Sequence, residues 1–450
     1  LKTNDLNPVA FIKNHQLWFV NSTKEGINLF DFRSKSLHYF PPTFAGTRKS
    51  TVPVSAFVLT DSKGNVWVQP YAGGFSRYDP LTSNLIPLNG SSFFPHSSFT
   101  NSFHTVFFDK QDCLWYNSQS FGLVKVTFSD YNFKTFNPDK GQNTWKKSIR
   151  AILQDKKENI WVGTKLNEII IFDKHFNKIG NLSVSGKLKD SSIWNKTAYS
   201  IIEDKKSNIW IGTRGDGLYK LIPQTQPFTY KVQHFKNNET DPFSISDNNI
   251  YDVFEDLQGS IWIATFNGLN LISQDKTENI KFINFKNNWK TYPTDNYSKV
   301  RCINQTKDGV ILLGCTAGLL AINPTKNIEN KFSNVKTYAI ENNPYNGLRS
   351  NDIIDICVTK NEETILATAD GGISKVILKD SIGFPLKFKS FGSDDGLASN
   401  NILSLLEDDD GKVWCATDYT LTRFSPKKEY FEVFPEVKWT ISNNNFSEAT

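Results

Sequence analysis

The chain has 450 residues, with 51 Lys and Arg against 46 Asp and Glu, and its formal net charge is +5. Because the two signs are interspersed and no basic tract stands out, nucleic acid is not expected as a partner of this region. No apolar run approaches the roughly 18 residues that span a bilayer, so any signal peptide or membrane anchor is expected only outside these residues.

One unit recurs along the chain, and the segment Ile250–Ile272 shows it most clearly: IYDVFEDLQGSIWIATFNGLNLI. It predicts a strand, a tight turn, a second strand that carries Trp262, another turn and a third strand. The Trp of the second strand, or its replacement, falls at Trp18, Trp67, Trp115, Trp161, Trp210, Trp262, Leu312, Ile365 and Trp414. Successive gaps of 49, 48, 46, 49, 52, 50, 53 and 49 residues indicate an array of one supersecondary unit.

The copies differ in clarity along the chain. In order they are Gln16–Asp31, Asp61–Asp79, Lys110–Val126, Gln154–Thr164, Glu203–Thr213, Glu255–Thr265, Lys307–Ile322, Glu362–Val376 and Glu407–Phe424. The first three are divergent, the next three are the clearest, the seventh and eighth lack the Trp, and the ninth restores it. Ile441–Thr450 is typical of the first strand of a tenth copy.

Each unit also predicts a short aromatic fourth strand, with the sequences YNFKTF, VQHF, KFINF, VKTY, FKSF and FEVF. Alternating apolar and polar residues between Gly, Asn, Asp and Pro clusters favour half-buried strands. Four antiparallel strands in about 49 residues match one propeller blade. We therefore predict an all-β fold of β-propellers with four-stranded antiparallel blades; a helical repeat is disfavoured, since no stretch keeps a 3.6-residue apolar period.

The repeat accounts for its own carboxylates and glycines. An Asp or Glu before each second strand is expected to hold the turn through its own backbone, and the Gly supplies a positive φ. We interpret these carboxylates as structural and not as catalytic pairs. The five cysteines have no metal-ligand spacing, and no metal or cofactor is expected. Cys113, Cys302, Cys315 and Cys415 fall in or beside repeat strands, where we interpret them as small apolar residues.

The pattern E/Q-D-x-x-G-x-I-W-I-G-T-x-x-G-L resembles the two-component regulator propeller repeat. The phrases NPYNGLRSNDI (Asn343–Ile353) and SDDGLASNNI (Ser393–Ile402) strengthen this resemblance, which covers nearly all of the chain. In that family, two successive propellers form the periplasmic sensor region of a hybrid histidine kinase in the bacterial inner membrane. A β-sandwich, a membrane helix and the signalling domains follow, so the membrane would be reached only through segments outside this chain.

The resemblance also implies a function and a division into domains. Members typically detect oligosaccharides released from polysaccharides and control the matching carbohydrate-utilisation genes, and a homodimer is expected. Nine and a half copies do not divide into complete seven-bladed rings. We predict the last blades of a first propeller in residues 1–139 and a second propeller, with its final blade cut off, in residues 140–450. A single larger ring is the alternative.

Four tryptophans are not explained by the repeat, and each falls between a fourth strand and the next first strand: Trp145, Trp194, Trp289 and Trp439. In an antiparallel blade that loop opens on the same face as the turn between the second and third strands. We therefore predict a ligand-binding face that these tryptophans share with Lys165, Arg214, Asp216, Phe266 and Asn267.

Flat aromatic rings with a few charges and an amide suit a sugar, which offers an apolar ring face and many hydroxyls. Arg214 and Lys165 would also suit a carboxylate or sulfate on an acidic sugar. The alternative for the tryptophans is that they fill space between blades or under loops. The alternative for the two cations is plain solvation.

Two other function classes stay open. A propeller glycoside hydrolase or lyase would need a distinguished pair of carboxylates, which the sequence does not show, and the eight arginines and six histidines are scattered. We therefore do not expect an enzyme in this region, although the full-length protein would be a histidine kinase. A protein-binding scaffold would use the same aromatic and Arg residues, so residue type does not separate it from a sugar sensor.

Overall fold

The computed structural model describes most residues from 149 to 434 and shorter stretches before them. The described residues are 6–12, 15–21, 24–41, 56–62, 64–69, 75–87, 103–109, 113–118, 122–127, 149–274, 279–324, 332, 334–340, 347–418 and 420–434. The chain divides into two compact units, Leu1–Phe133 and Lys134–Thr450. Their assignment to two successive rings, with a boundary between residues 139 and 140, stays a prediction.

The first unit holds three antiparallel sheets. Its strands are β1 (Leu6–Ile12), β2 (Gln16–Asn21), β3 (Lys24–Asp31), β4 (Ser36–Phe40), β5 (Phe57–Thr60), β6 (Val66–Gln69), β7 (Ser76–Asp79), β8 (Asn84–Pro87), β9 (Phe103–Phe108), β10 (Cys113–Ser118) and β11 (Gly122–Thr127). Strands β1 to β4 and β5 to β8 form four-stranded sheets in chain order, and β9 to β11 form the third.

The described part of the second unit forms six sheets. The strands of the first three are β12 (Ile149–Gln154), β13 (Ile160–Thr164), β14 (Ile169–Phe172), β15 (Lys178–Leu182), β16 (Leu188–Lys189), β17 (Ala198–Glu203), β18 (Ile209–Thr213), β19 (Leu218–Pro223), β20 (Tyr230–Phe235), β21 (Ile250–Glu255), β22 (Ile261–Thr265), β23 (Gly268–Gln274) and β24 (Ile280–Ile283). The strands of the last three are β25 (Val300–Gln305), β26 (Ile311–Cys315), β27 (Gly318–Ile322), β28 (Val335–Tyr338), β29 (Ile353–Val358), β30 (Thr364–Thr368), β31 (Ile373–Lys379), β32 (Pro385–Phe391), β33 (Ile402–Glu407), β34 (Val413–Thr417), β35 (Leu421–Ser425) and β36 (Tyr430–Phe434).

Each sheet of the second unit keeps its strands in chain order, and the first of them gains a fifth strand, the two-residue β16. Among the described residues, short helical segments lie in connections between sheets at α1 (Thr294–Tyr297) and at a 3₁₀ turn (Ser393–Asp395). The fourth strands predicted from VQHF, KFINF, VKTY, FKSF and FEVF are confirmed. The one predicted from YNFKTF, and the start of a tenth copy, lie outside the described residues.

The first strands of the six sheets lie side by side. Contacts join β12 to β17, β17 to β21, β21 to β25, β25 to β29, and β29 to β33. Sheets arranged radially around their first strands are the blades of a β-propeller, so we call these strands the inner strands. The predicted all-β propeller of four-stranded antiparallel blades is confirmed, while the number of blades in a ring stays a prediction.

A repeated Asp ties the turn after the first strand to the Trp of the second strand. Its Oδ2 accepts a hydrogen bond from the indole Nε1, at 2.9 Å between Asp204 and Trp210. The same bond joins Asp61 to Trp67, Asp109 to Trp115, Asp155 to Trp161, Asp256 to Trp262, and Asp408 to Trp414. The Asp Oδ1 accepts the backbone N–H four residues further on, as from Asn208 at 2.8 Å. The interpretation of these carboxylates as structural is confirmed.

The two sheets that lack the Trp have also lost the Asp. Thr306 and Thr359 occupy the equivalent position in the sheets where Leu312 and Ile365 replace the Trp. Each threonine Oγ1 still accepts the backbone N–H four residues on, at 3.1 Å from Val310 N and 3.0 Å from Glu363 N. In these sheets the turn therefore keeps one side-chain acceptor, and the second carboxylate oxygen is present only where an indole N–H must be satisfied.

Replacing Asp204 with alanine is expected to lower the free energy of unfolding by about 1–3 kcal/mol, because the buried Trp210 Nε1 and the Asn208 backbone N–H both lose their acceptor. Lys206 is exposed in the same turn, so Lys206→Ala should change stability by no more than about 0.5 kcal/mol. Urea denaturation followed by circular dichroism measures both. Equal effects of the two substitutions would contradict the structural role of Asp204.

The five cysteines are all buried. Cys302, Cys315, Cys357 and Cys415 belong to the hydrophobic clusters between sheets of the second unit. The interpretation of Cys302, Cys315 and Cys415 as small apolar residues is confirmed, because each packs among Ile, Leu and Val side chains in these clusters.

Candidate ligand-binding site

The turn after each second strand and the connection into each inner strand meet at one end of the sheet. The first residue after the second strand donates its backbone N–H to the carbonyl of the residue just before the inner strand. This bond measures 3.0 Å from Arg214 N to Thr197 O and 3.0 Å from Phe266 N to Asn249 O. Thr316 and Ala369 make the same bond in the next two sheets. The predicted sharing of one face by these two loops is confirmed.

A β-bulge interrupts each inner strand at its second residue. The antiparallel register with the second strand skips this residue in all six sheets of the second unit, at Arg150, Tyr199, Tyr251, Arg301, Ile354 and Leu403. A bulge bends the strand and redirects the side chain at that point. The bulge therefore presents one side chain from each inner strand at the same level, beside the loops described above.

Three aromatic rings form a continuous row across two of these sheets. Ring centroids are 5.8 Å apart between Tyr199 and Tyr251, and 6.2 Å apart between Tyr251 and Phe266. A cation lies over each end: the Arg150 guanidinium is 5.3 Å from the Tyr199 ring, and Lys299 Nζ is 4.7 Å from the Phe266 ring. Cations near ring faces are attracted by the ring quadrupole. We call Tyr199, Tyr251 and Phe266 the aromatic row.

A partly open cleft of about 120 Å³ borders the aromatic row, between the sheet β17 to β20 and the sheet β21 to β24. Its lining residues are Tyr199, Arg214, Asn249, Ile250, Tyr251 and Phe266. Drug-sized ligands occupy pockets of about 300–1,000 Å³. The cleft is therefore suited to one ring or one charged group at the end of a larger ligand. Of the predicted site residues, the structure brings Arg214 and Phe266 together here.

Positive charge predominates around the cleft. At the bulge and loop positions of the first four sheets of the second unit lie Arg150, Lys165, Arg214, Lys299 and Arg301. The acids at equivalent positions, Asp352 and Asp418, belong to the last two sheets. Arg301 Nε lies 3.0 Å from Asp352 Oδ1, so that pair is neutralised. Glu168, Asp216 and Asp247 lie in the connections of the same sheets, so the side of the face that holds the cleft carries more cations than acids without being exclusively cationic.

Asp216 is held inside its own sheet and does not face the cleft. Its carboxylate accepts a hydrogen bond from Tyr219 Oη, and its Oδ1 lies 2.6 Å from Lys236 Nζ. The His234 ring stacks on Tyr219 at 3.9 Å. Although burial raises it, the bonds from Lys236 and Tyr219 keep the pKa of Asp216 below its ordinary value. With both oxygens bonded, Asp216 anchors the turn and is not available to a ligand in this conformation.

Trp194 and Trp289 are packing residues in this conformation. Both side chains are 0% exposed. Trp194 makes an edge contact with Tyr219 at 4.9 Å, and Trp289 stacks on Trp262 at 6.0 Å. Neither ring offers a free face to a sugar, and the alternative of tryptophans packed between blades and under loops describes them. The physical reason is that the long connections fold back over the sheets and bury their largest apolar side chains.

The remaining predicted site residues have different positions. Lys165 is exposed at the turn after β13, and Asn267 is half-buried beside Phe266, with its backbone N–H donated to Thr265 Oγ1 at 3.1 Å. Trp145 and Trp439 lie outside the described residues, so their part in the site stays a prediction.

Tyr199, Tyr251, Asn249, Arg150 and Lys299 were not predicted as site residues. The signal that could have indicated the bulge residues is in the inner strands themselves. In IRAILQ, AYSIIE, IYDVFE and VRCINQ, the second residue is a large aromatic or cationic side chain. Since this position is equivalent in successive repeats, aligning the repeats by their inner strands would have placed these side chains together.

No group of three or more His, Cys, Asp or Glu side chains within the described ranges could hold a metal ion. In the same part of the chain, no helix is long and apolar enough to cross a membrane. The residues that line the cleft supply aromatic rings, a guanidinium and an amide.

These features define a repeat β-propeller with a candidate ligand site at one end of its inner strands. Three segments of the chain, 146–165, 192–215 and 396–419, match the family model for the two component regulator propeller. These three segments therefore match repeats of this family, and the resemblance to the propeller repeat predicted from the sequence is confirmed for them. Among curated proteins, no match to the chain is found.

Solved propellers resemble the chain in fold. The extracellular domain of the hybrid two component system BT3049 from B. thetaiotaomicron is 17% identical with a TM-score of 0.51, and the match covers 97% of this chain and 64% of that one. This chain thus spans less than two thirds of that domain. The extracellular domain of BT4673 from the same organism is 16% identical, with a TM-score of 0.38 and coverage of 99% and 62%. Virginiamycin B lyase from Staphylococcus aureus is 11% identical, with a TM-score of 0.46 and coverage of 65% and 85%.

Proposed function

We propose that this chain is an extracytoplasmic sensor region of a hybrid two-component regulator and that it binds an oligosaccharide released by polysaccharide breakdown. On this proposal it lies in the periplasm, as part of an inner-membrane protein that acts as a homodimer and controls carbohydrate-utilisation genes. The observation that carries the proposal is the cleft beside Arg214 and Phe266, of which Tyr199 and Arg214 lie in a segment that matches the two component regulator propeller.

The side chains at the cleft match the chemistry of a sugar. Phe266 is 40% exposed and the Tyr251 ring is nearly parallel to it, at 23°. Exposed aromatic rings stack on the apolar face of a sugar ring, while fixed polar groups bind its hydroxyls. Asn249 supplies an amide at the same cleft. Because these residues lie on loops and bulges of a rigid scaffold, they are held in place before any ligand arrives.

The mechanism in this proposal is a shift of populations and involves no covalent chemistry. An oligosaccharide changes the signalling state only by the difference between its affinities for two arrangements of the receptor. The same coupling free energy links the cleft to the segments that reach the membrane. The cleft lies between two blades, so a bound ligand contacts both of them and favours the arrangement in which they are closest to it.

A thermal-shift screen against neutral, uronic and sulfated oligosaccharides of two to eight sugar units tests the proposal. A ligand at about 100 times its dissociation constant is expected to add about 2.7 kcal/mol to the free energy of unfolding, which raises the melting temperature. Chromatography of the ligand afterwards should recover it intact, because no chemistry is proposed at the cleft. A cleaved ligand would support a hydrolase or lyase instead. The absence of any shift with every oligosaccharide would overturn the proposal in favour of a protein-binding scaffold.

A further inference from the structure

The cleft between the sheets β17 to β20 and β21 to β24 contains a cation with no protein counter-ion. The Arg214 side chain is exposed, and it makes no ion pair and donates no hydrogen bond to any residue in the described ranges. Arg301 and Arg423 behave differently, since each lies within 3.0 Å of a carboxylate oxygen. Arg214 therefore keeps its five N–H donors for a group that is not part of the described chain.

The backbone of Arg214 is nevertheless fixed. Its N–H is bonded to Thr197 O at 3.0 Å, and it forms an isolated β-bridge with Asn249 of the next sheet. Asp216 lies two residues further on, but its carboxylate is bonded to Tyr219 and Lys236, so it does not neutralise Arg214. The side chain therefore starts from a fixed backbone and carries an unneutralised guanidinium, a group that binds carboxylates and sulfates in a bidentate manner.

The aromatic row and the amide complete the recognition surface. Phe266 and Tyr251 line the same cleft as Arg214, so a sugar ring on the row places its substituents within reach of the guanidinium. Asn249 donates its amide N–H to Asp247 Oδ1 at 2.9 Å, which fixes the amide and turns its Oδ1 toward other donors, such as a sugar hydroxyl. Arg150 and Lys299 add positive charge at the two ends of the row.

We propose that the cleft selects an acidic sugar unit, whose carboxylate or sulfate binds Arg214 while its ring stacks on Phe266 and Tyr251. This inference rests on the proposed oligosaccharide-binding function and specifies its ligand class. The volume of about 120 Å³ admits one unit, so the charged unit is the one at the end of the oligosaccharide or at a side branch. Neutral oligosaccharides of the same length lack the group that Arg214 binds and are bound more weakly.

Isothermal titration calorimetry with matched ligand pairs tests this proposal. Oligogalacturonides are compared with galacto-oligosaccharides of equal length for the carboxylate, and sulfated with unsulfated chondroitin disaccharides for the sulfate. The oligogalacturonide of the first pair, or the sulfated member of the second pair, in which both members carry a uronate, is expected to bind at least about 10-fold more tightly than its counterpart. The pair that shows the difference identifies whether Arg214 binds a carboxylate or a sulfate. Added salt should reduce this difference, because the cleft is partly open to solvent.

Substitutions at Arg214 locate the effect. Arg214→Gln is expected to weaken the acidic ligand by about 10-fold or more, and Arg214→Lys to restore part of the loss, since it keeps the charge but not the bidentate geometry. Lys206→Gln removes a cation from the first turn of the same sheet and should leave binding unchanged. Melting curves of all three variants should match the wild type, because each side chain is exposed.

The outcomes separate this proposal from the function on which it rests. If neutral oligosaccharides bind as tightly as acidic ones and Arg214→Gln has no effect, the acidic-sugar inference is overturned while the sensor function stands. If the acidic ligand binds but Arg214→Gln and Lys206→Gln weaken it equally, the charge acts at long range and the assigned site is wrong. If no oligosaccharide of either kind binds, the proposed function and this inference both fail.

Discussion

Replacing Trp289 with alanine is expected to lower the free energy of unfolding by about 3–5 kcal/mol, the range measured for buried Trp and Phe truncations. The indole is 0% exposed, stacks on Trp262 at 6.0 Å and contacts Phe332 at 5.3 Å. It belongs to the largest hydrophobic cluster between two sheets of the second unit. Truncation leaves a cavity that these rigid strands cannot close, so both the transfer free energy and the packing contacts are lost.

Leu257→Ala is the matched control for Trp289→Ala. Leu257 is 62% exposed in the first turn of the sheet that carries Trp262, so its truncation should cost no more than about 0.5 kcal/mol. Urea denaturation of both variants, followed by far-ultraviolet circular dichroism, measures the difference. If Trp289→Ala is as stable as Leu257→Ala, the side chain does not pack in solution as it does in the structure, and a ligand-stacking role for it is open again.

Stability is expected to fall as the pH rises from 5 to 8, because of two carboxylates at the third position of the inner strands. Asp252 Oδ2 accepts the Ile303 backbone N–H at 2.9 Å, and Asp355 Oδ2 accepts the Leu405 backbone N–H at 2.7 Å. Each bond joins an inner strand to the next one. Burial raises the pKa of Asp252 to about 7, with a further contribution from the charge of Asp355, and burial raises the pKa of Asp355 to about 6.

The sign of the effect follows from proton binding. An unfolded Asp has a pKa of about 3.9, so above pH 4 the unfolded chain has released protons that folded Asp252 and Asp355 still hold. Where the folded state binds more protons than the unfolded state, raising the pH destabilises the fold. The loss occurs mainly between pH 5 and pH 7, as the folded carboxyls ionise. We expect a decrease in the free energy of unfolding on the order of 4 kcal/mol between pH 5 and pH 8.

The repeats themselves supply the substitution that isolates this effect. Ser200 occupies the position equivalent to Asp252, and its Oγ accepts the Val253 backbone N–H of the next sheet at 3.2 Å. The double variant Asp252→Ser with Asp355→Ser should therefore keep the bonds between inner strands and lose most of the pH dependence. Asp409→Ser, at a fully exposed carboxylate, should leave the pH dependence unchanged. Melting temperatures of the wild type and the variants, measured from pH 5 to 8, test this attribution. A wild type whose stability is constant or rises with pH would show that Asp252 and Asp355 do not have the raised pKa values given above.

Individual residues show why the repeat could be predicted and part of the site could not. The Trp of each second strand and the Asp six residues before it are local in sequence, and their hydrogen bond is made within one turn. Turn chemistry and strand alternation of this kind are visible in a single repeat. The aromatic row depends instead on Tyr199 and Tyr251, which are 52 residues apart and meet only because inner strands of neighbouring sheets lie side by side.

Asp216, Trp194 and Trp289 are the converse case, because the sequence predicted them at the site and the structure buries them away from it. The sequence places all three on loops at the ligand face, and the structure confirms that these loops share one face. A loop position does not state whether its side chain points outward or back into the sheet. Tyr219 and Lys236 draw Asp216 inward, and Trp262 and Phe332 do the same for Trp289. Tyr219 is only three residues from Asp216, but Lys236, Trp262 and Phe332 lie roughly 20 to 43 residues from the side chains they contact, so no local pattern identifies them.

The sequence by itself determined the period of the repeat, the strands of each blade, the structural role of the repeated carboxylates and the face on which the loops open. All of these follow from side-chain alternation and turn chemistry within about 50 residues. Only the tertiary structure decided which side chains of that face are buried, which meet across blades, and that the cleft lies at Arg214 and Phe266. The physical reason is that the bulge in each inner strand and the packing between blades are long-range features, set by neighbours about one repeat away in the chain.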